Sequence, residues 1–287
     1  MFLLEVLADA AIDTVKLLPF LFITYLIMEI IEHRIEERSV GKVSRSGRLG
    51  PLVGGALGVV PQCGFSASAA SLYSGGLISA GTLLAIFLST SDEMLPIFIS
   101  EGAPVVTLLL ILVSKFGIGV ITGYVVDLFG WRFHKERMKK DVHDLCEQDN
   151  CHCERGVFYS AFKHTIQIAL FIFILTFGIG LLIHLAGEEA IAVFISSFPV
   201  LGVFLTALVG LIPNCAASVV ITELYLQGLI GIGQMMAGLL VGAGVGLLVL
   251  FRTNRHWKEN ARLTVILYIA GVLWGLLISA LAALCGW

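Results

Sequence analysis

The residues of this chain that are best suited to chemistry occur in two short motifs, each made of proline, an amide side chain, cysteine and a small residue. The first motif is residues 61–64, Pro-Gln-Cys-Gly, and the second is residues 213–216, Pro-Asn-Cys-Ala. Proline lacks a backbone donor and interrupts a helix, so carbonyl and amide groups near it become available to a ligand. Each motif therefore predicts a broken helix that presents a thiol and a side-chain amide.

A serine hydroxyl three residues after each cysteine adds a third ligand type to each break. Thiolates bind soft metal ions, although a buried cysteine is also a common packing residue in helices. Two cysteines at equivalent places, each beside a helix break, favour the ligand interpretation. The predicted substrate-binding residues at the breaks are Gln62, Cys63, Ser66, Asn214, Cys215 and Ser218, and the residues that form the breaks are Pro61, Gly64 and Pro213.

Asp92 and Glu93 form a second candidate site, because they stand side by side between two apolar runs. A charged side chain within a bilayer costs about 2.5 kcal/mol or more, and such residues usually serve an ion pathway, a proton relay or a metal site. We predict that the two carboxylates bind the coupling ion or a metal ion, and that Thr90 is one of the substrate-binding residues. The alternative interpretation places both carboxylates in water at the membrane interface.

Two further polar residues in apolar segments are weaker candidates. Glu223 is predicted to line the pathway beyond the second break. For Lys115 two interpretations stay open, either a pair with an acidic neighbour or an ammonium group that snorkels to the interface.

A cluster of cysteine and histidine in the middle of the chain predicts a separate soft-metal site. It lacks the paired spacing of a structural zinc module, so a solvated loop with chance thiols is an equally open interpretation. The predicted ligands in this segment are Cys146, Cys151, His152 and Cys153.

The composition decides the class of protein that positions these residues. Hydrophobic residues make up 57% of the 287 residues and charged residues only 14%, which is too little charge for a soluble domain of this length. Several apolar runs approach the roughly 20 residues that span a bilayer as a helix. We expect an all-α polytopic membrane protein of the cell membrane (inner or plasma), with the lipid bilayer as its main partner. The net charge of −3 gives no indication of a nucleic-acid partner.

An internal repeat divides the chain into two related halves. At an offset of 152 residues, residues 61–78 and 213–230 are identical at eight of eighteen positions. The similarity extends to both sides, which predicts a first transmembrane repeat at residues 1–131, a polar linker at 132–154 and a second transmembrane repeat at 155–287.

Basic residues in the short loops predict that the halves are inverted relative to each other. The loop at 34–48 is basic and its counterpart in the second half is not, whereas the loop at 252–262 is basic and its counterpart in the first half is not. Placing all basic loops in the cytoplasm requires an odd number of crossings per half, with the N-terminus outside and the linker cytoplasmic. Inverted halves are typical of alternating-access transporters, and parallel halves are the alternative.

Each half is predicted to contain five helices. In the first half these are a helix at 14–33, a Pro-broken helical hairpin at 50–74, a segment near 81–99 and a helix at 105–128. The second half has glycines where the first has Asp92 and its neighbours. We expect these glycines to leave room for the carboxylates or to let their helix unwind.

The duplicated Pro-x-Cys motifs, the Cys-His-Cys linker followed by Ser-Ala-Phe-Lys-His-Thr at 160–165, and the Asp-Glu pair resemble a known family. They are similar to the ten-helix heavy-metal exporters, which are labelled arsenic efflux proteins or manganese transporters. The resemblance covers essentially the whole chain and implies export of a metal or metalloid ion.

The predicted function is therefore a secondary-active exporter without enzymatic activity. Cysteines favour soft species such as arsenite or cadmium, and the carboxylates favour manganese or protons used for coupling. No permanently bound cofactor is expected, because the metal ion is the substrate, and a homo-oligomer is left open. The alternatives are a small organic-anion transporter that uses the same breaks and, less favoured, a membrane thiol oxidoreductase.

Overall fold

The protein is helical throughout the part of the chain that the computed structural model describes. That part comprises residues 49–60, 63–91, 94–137, 157–186, 199–213 and 215–285, with scattered positions between 7 and 26 that are also helical. It contains no strand. The helices are α1 (Gly50–Gly58), α2 (Cys63–Ser74), α3 (Ala80–Ser89), α4 (Met94–Ser100), α5 (Val105–Arg137), α6 (Val157–Ala186), α7 (Pro199–Gly210), α8 (Cys215–Leu226), α9 (Ile232–Val241), α10 (Val245–Thr253) and α11 (Trp257–Cys285).

Three described segments are long and apolar enough to cross a membrane. They are Val105–Phe129 in α5, Ile232–Thr253 through α9 and α10, and Trp257–Leu284 in α11. Large apolar side chains such as Val106 and Leu273 are exposed on α5 and α11, as expected for helices that face lipid. The all-helical polytopic class predicted from composition is confirmed.

The two halves use the same internal packing. In the first half α3 packs between α1 and α5, and in the second half α9 packs between α7 and α11. Glycines allow the closest approach: a Cβ at Gly123 would lie 2.6 Å from the carbonyl oxygen of Gly81. At the equivalent place, a Cβ at Gly275 would lie 2.8 Å from the carbonyl oxygen of Gly233. Such small-residue contacts are a main source of helix association in membranes.

The halves are joined because one helix of each half packs against a helix of the other half. Helix α2 packs mainly against α10 of the other half, and α8 packs against α4. At one of these contacts the Tyr73 hydroxyl donates a short hydrogen bond to Glu259, and the hydroxyls of Ser74 and Thr253 lie 2.7 Å apart.

At the second contact between the halves, aromatic rings replace the hydrogen bonds. The ring of Tyr225, the equivalent of Tyr73, stacks on Phe98 at a centroid distance of 6.1 Å. We call these two contacts between the halves closures. The closure at Tyr73 and Ser74 is polar, and the closure at Phe98 and Tyr225 is aromatic.

A hydrogen bond joins equivalent positions of helices α5 and α11. Trp274 Nε1 on α11 donates to Thr122 Oγ1 on α5 over 3.2 Å, and the two residues are separated by the repeat offset of 152. A contact between a position and its own repeat equivalent is expected where two related units meet around a twofold axis.

The structure differs from the predicted helix pattern in two places. The segment predicted near 81–99 is interrupted, because α3 ends at Ser89 and α4 begins at Met94. Helix α5 continues to Arg137, past the predicted repeat boundary at residue 131. Helix α1 ends at Gly58 and α2 begins at Cys63, so the last two residues of the predicted break at 61–64 lie in α2. The two helices contact each other little, and the hairpin and the inversion both stay predictions. Of the helix predicted at 14–33, only scattered positions up to residue 26 are described.

The glycine contact between α3 and α5 leads to a stability prediction. Gly123→Ala places its Cβ 2.6 Å from a backbone oxygen that cannot move without shifting α3, so we expect unfolding to become easier by about 1–3 kcal/mol. Gly117→Ala, on the same helix, is the matched control, because its Cβ position has no atom within 4 Å apart from its chain neighbours and the backbone of its own helix. Unfolding by SDS in mixed micelles measures both, and equal stability of the two variants would contradict the prediction.

Candidate functional site

A small cavity lies where the two interrupted helices meet. It is bordered by the α3–α4 interruption, the α9–α10 interruption and the turn between α7 and α8. Its volume of about 10 Å³ is close to the space that one water molecule requires. The lining residues are Thr90, Ser91, Met94, Lys115, Gly210, Ile212, Ala217, Ser218, Gly238, Leu239, Gly242 and Gly244.

The first interruption exposes hydroxyl groups to this cavity. Thr90 leaves the helical conformation with ψ of 127°, and its hydroxyl donates to the carbonyl oxygen of Ile86 over 2.7 Å. The hydroxyl of Ser91 donates over 2.6 Å to the carbonyl oxygen of Val59, just after α1. The interruption of the third helix is thereby tied to the chain that leads into the Pro-Gln-Cys-Gly motif.

The second interruption is built from glycine and exposes backbone. Helix α9 ends at Val241, and Gly244 adopts φ 52° and ψ −140°, a conformation that a side chain would disfavour. The amide of Ala243 donates to Val241 over 2.7 Å, although in a continued helix it would donate to the carbonyl oxygen of Leu239. The Leu239 oxygen is thus released from its helical partner at the edge of the cavity.

Lys115 supplies the donor that this carbonyl needs. Its Nζ donates over 2.8 Å to the Leu239 oxygen, so α5 of the first half is joined to α9 of the second. The side chain is only 1% exposed, and the snorkelling interpretation of Lys115 is therefore wrong. The residue at its repeat equivalent is Leu267, which is also fully buried.

The structure brings two of the predicted site residues together at the cavity, Thr90 and Ser218. Ser66 is buried instead against Gly246 of α10, where a glycine Cβ would lie 2.8 Å from the serine Cβ. Glu223 is exposed on α8 and is not among the residues that line the cavity. Gly64 is buried in the first turn of α2, and Pro213 is partly buried before the start of α8.

Several predicted residues lie outside the described part of the chain. Cys63 and Cys215 begin α2 and α8, but their side chains are not described. Within the described part, no three side chains of His, Cys, Asp or Glu form a group suited to a metal ion. The predicted residues outside the described part are Pro61, Gln62, Asp92, Glu93, Asn214, Cys146, Cys151, His152 and Cys153.

Sequence reasoning undervalued Lys115 and missed Ser91 and Met94 as lining residues. The repeat contains a signal for Lys115, because the equivalent residue of the second half is a leucine. Packing at this position therefore does not require a charge. Met94 follows the acidic pair directly, and its burial became visible only with the helix break.

Comparison with known proteins identifies the family. The model of a family described as "Putative, 10TM heavy-metal exporter" matches residues 2–184, more than half of the chain. The chain belongs to this family. No curated protein and no solved structure matches it.

The family match spans the first half, the central segment and the first helix of the second half. The resemblance to ten-helix heavy-metal exporters is thereby confirmed, and membership supports membrane transport of heavy metals as a class. The internal repeat relates the rest of the chain to the matched part.

The bond from Ser91 to the end of α1 gives a prediction for this family member. Ser91→Ala leaves the Val59 carbonyl without the hydroxyl donor, so we expect a loss of about 1 kcal/mol in the free energy of unfolding. Ser100→Ala is the control, since that hydroxyl binds the Ile97 oxygen at an exposed helix end. SDS unfolding of both variants measures the effect, and a Ser100→Ala loss as large as that of Ser91→Ala would refute it.

Proposed function

We propose that the protein is a secondary-active exporter that moves a metal or metalloid ion across the cell membrane by alternating access. The observation that carries the proposal is the cavity itself, where both interrupted helices and the turn before Ser218 meet around one buried lysine. Interrupted helices that meet inside a membrane protein are the usual way to offer polar groups to a transported ion. Family membership supports a heavy metal as the class of substrate.

The proposed substrate ligands are the cysteines at the two Pro-x-Cys breaks, with Asp92 and Glu93 binding the ion or the protons that drive transport. Support comes from their neighbours in the chain. Ser91 and Met94 flank the acidic pair in sequence, and both line the cavity. Ile212 and Ala217, on either side of the second Pro-Asn-Cys motif, line it as well.

The proposal includes inverted halves, an N-terminus outside and the central segment in the cytoplasm. The repeated glycine contacts and the exchange of α2 and α8 between the halves support two related units that move against each other. The polar closure at Tyr73 then lies near the basic loop at 252–262 on the cytoplasmic side, and the aromatic closure at Tyr225 lies toward the outside. The cavity in this structure has room for about one water.

A small organic anion is the second candidate substrate. The position of Lys115 favours it, because a buried ammonium beside serine and threonine hydroxyls is also a suitable environment for a carboxylate. The family description favours the metal, and direct binding separates the two candidates.

Binding to the purified protein tests the metal proposal. A panel of Mn²⁺, Zn²⁺, Cd²⁺, Cu⁺ and arsenite is titrated against wild type, Cys63→Ser/Cys215→Ser and Asp92→Asn/Glu93→Gln. We expect saturable binding of at least one species, weakened about ten-fold or more by whichever pair supplies its ligands. Calorimetry or equilibrium dialysis gives the dissociation constants.

Matched controls separate ligand loss from general damage in this experiment. Cys285→Ser removes a thiol at the end of α11, and Glu101→Gln removes an exposed carboxylate at the turn after α4. Neither control is expected to change binding. Failure of every species to bind wild type would refute metal transport and favour the organic anion, whose affinity for the same protein is then measured.

Coupling to protons gives a further expected outcome. In proteoliposomes loaded with the metal-sensitive dye Fluozin, a proton gradient should accelerate entry of the bound ion against its own gradient, because protons and metal compete for Asp92 and Glu93. A protonophore should abolish this accumulation, and Asp92→Asn/Glu93→Gln should not show it. Accumulation that continues without a proton gradient would exclude proton coupling.

A further inference from the structure

Lys115 is the one buried charged side chain among the described residues that line the cavity. Its position is not explained by packing, because the second half places Leu267 at the equivalent site and buries it completely. The two long helices that carry these residues pack in the same way in each half. Packing at this position therefore does not require a charge, and the charge that the first half keeps lies on the wall of the cavity.

The geometry holds this charge at the edge of the cavity. The Nζ atom donates to the Leu239 oxygen, which the end of α9 releases from its helical partner. The C-terminal end of a helix carries partial negative charge, so the end of α9 attracts a cation independently of any side chain. Lys115 thus occupies a place that favours positive charge, on the wall of a cavity with room for about one water.

We propose that Lys115 is a tethered internal cation that competes with the transported metal ion for this cavity. This inference rests on the proposed metal transport. In the empty carrier the ammonium group satisfies the Leu239 carbonyl and allows the cavity to close within the membrane. An entering metal cation is repelled by the ammonium group beside the cavity and binds only as the lysine withdraws.

The competition has two consequences for transport. It weakens metal binding, and it lets the carrier close and return without cargo. Loss of the positive charge should therefore tighten binding and block the return of the empty carrier. Exchange of one bound ion for another needs no empty return, so exchange should survive.

A purely structural role for Lys115 predicts the opposite result. If the lysine only caps α9, its removal leaves the Leu239 carbonyl unsatisfied, loosens the cavity and weakens binding. A carrier for an organic anion would likewise lose affinity with Lys115, because the cation would then be a ligand. The direction of the change in affinity consequently separates the three roles.

The test uses the full chain in proteoliposomes, with Cd²⁺ and Mn²⁺ as probe ions. Lys115→Met is expected to bind the transported ion about ten-fold more tightly than wild type, because the competing state is removed. Its net flux should fall by about ten-fold, while exchange of external ion for the internal isotope continues near the wild-type rate. Lys115→Arg keeps the charge and should stay within about three-fold of wild type in affinity.

Two further variants provide a second neutral substitution and a control. Lys115→Leu copies the residue that the second half uses at this position, so it provides a folded alternative if the methionine variant is unstable. Lys163→Met removes a lysine on α6 that does not line the cavity and should leave both measurements unchanged.

The possible outcomes are distinct. If wild type binds the probe ion and both neutral variants bind it no more tightly, or lose exchange together with net flux, the role of Lys115 as internal cation is overturned while metal transport stands. If wild type binds neither probe, the metal role of this cavity is overturned together with the role of Lys115.

Discussion

Every backbone polar group of an interrupted helix inside a membrane needs a partner, and this requirement organises the centre of the protein. Ending α9 at Val241 releases the Leu239 carbonyl, and Lys115 of the opposite half satisfies it. Ending α3 at Ser89 is accompanied by the bond from Ser91 to Val59. Both bonds join different elements of the fold. The Ser91 bond lies within the first half, whereas the Lys115 bond joins the two halves at the cavity.

In the duplicated architecture, the glycines that pack the helices are repeated in both halves, whereas the charged residues are not. Equivalent glycines bring α3 close to α5 and α9 close to α11, so each half has its own closely packed unit. The charged residues do not follow the repeat. When the two halves are aligned, Lys115 corresponds to Leu267, and the acidic pair corresponds to a glycine and a valine. Duplication supplies two similar scaffolds, and loss of symmetry in a few side chains supplies one site.

The two closures between the halves differ in chemistry although they occupy equivalent places. Hydrogen bonds of Tyr73 and Ser74 form one closure, and the stacked rings of Phe98 and Tyr225 form the other. Hydrogen bonds exchange readily with water, whereas separating two rings exposes apolar surface. In the inverted arrangement that we propose, the two sides of the membrane would therefore open with different energetic costs.

The amino-acid sequence by itself determined the class of the protein, and its internal repeat predicts two halves, each with a Pro-x-Cys break. Hydropathy and repeat identity are properties of the chain that need no knowledge of contacts, and the family match agrees with the membrane class that hydropathy indicates. Thr90 and Ser218 were also found from sequence, because each stands beside a recognisable break or acidic pair.

Only the tertiary structure decided that the segment after Ala80 is interrupted, that Ser66 packs against Gly246 rather than lining the cavity, and that Lys115 lies in the core. A lysine in an apolar helix has the same local pattern whether it reaches the interface or a carbonyl of another helix. The end of α9 decides between these two positions, because it leaves the Leu239 carbonyl oxygen without its helical donor and within reach of the ammonium group. That acceptor is 124 residues away in the chain, and only the packing of α5 against the opposite half brings it near.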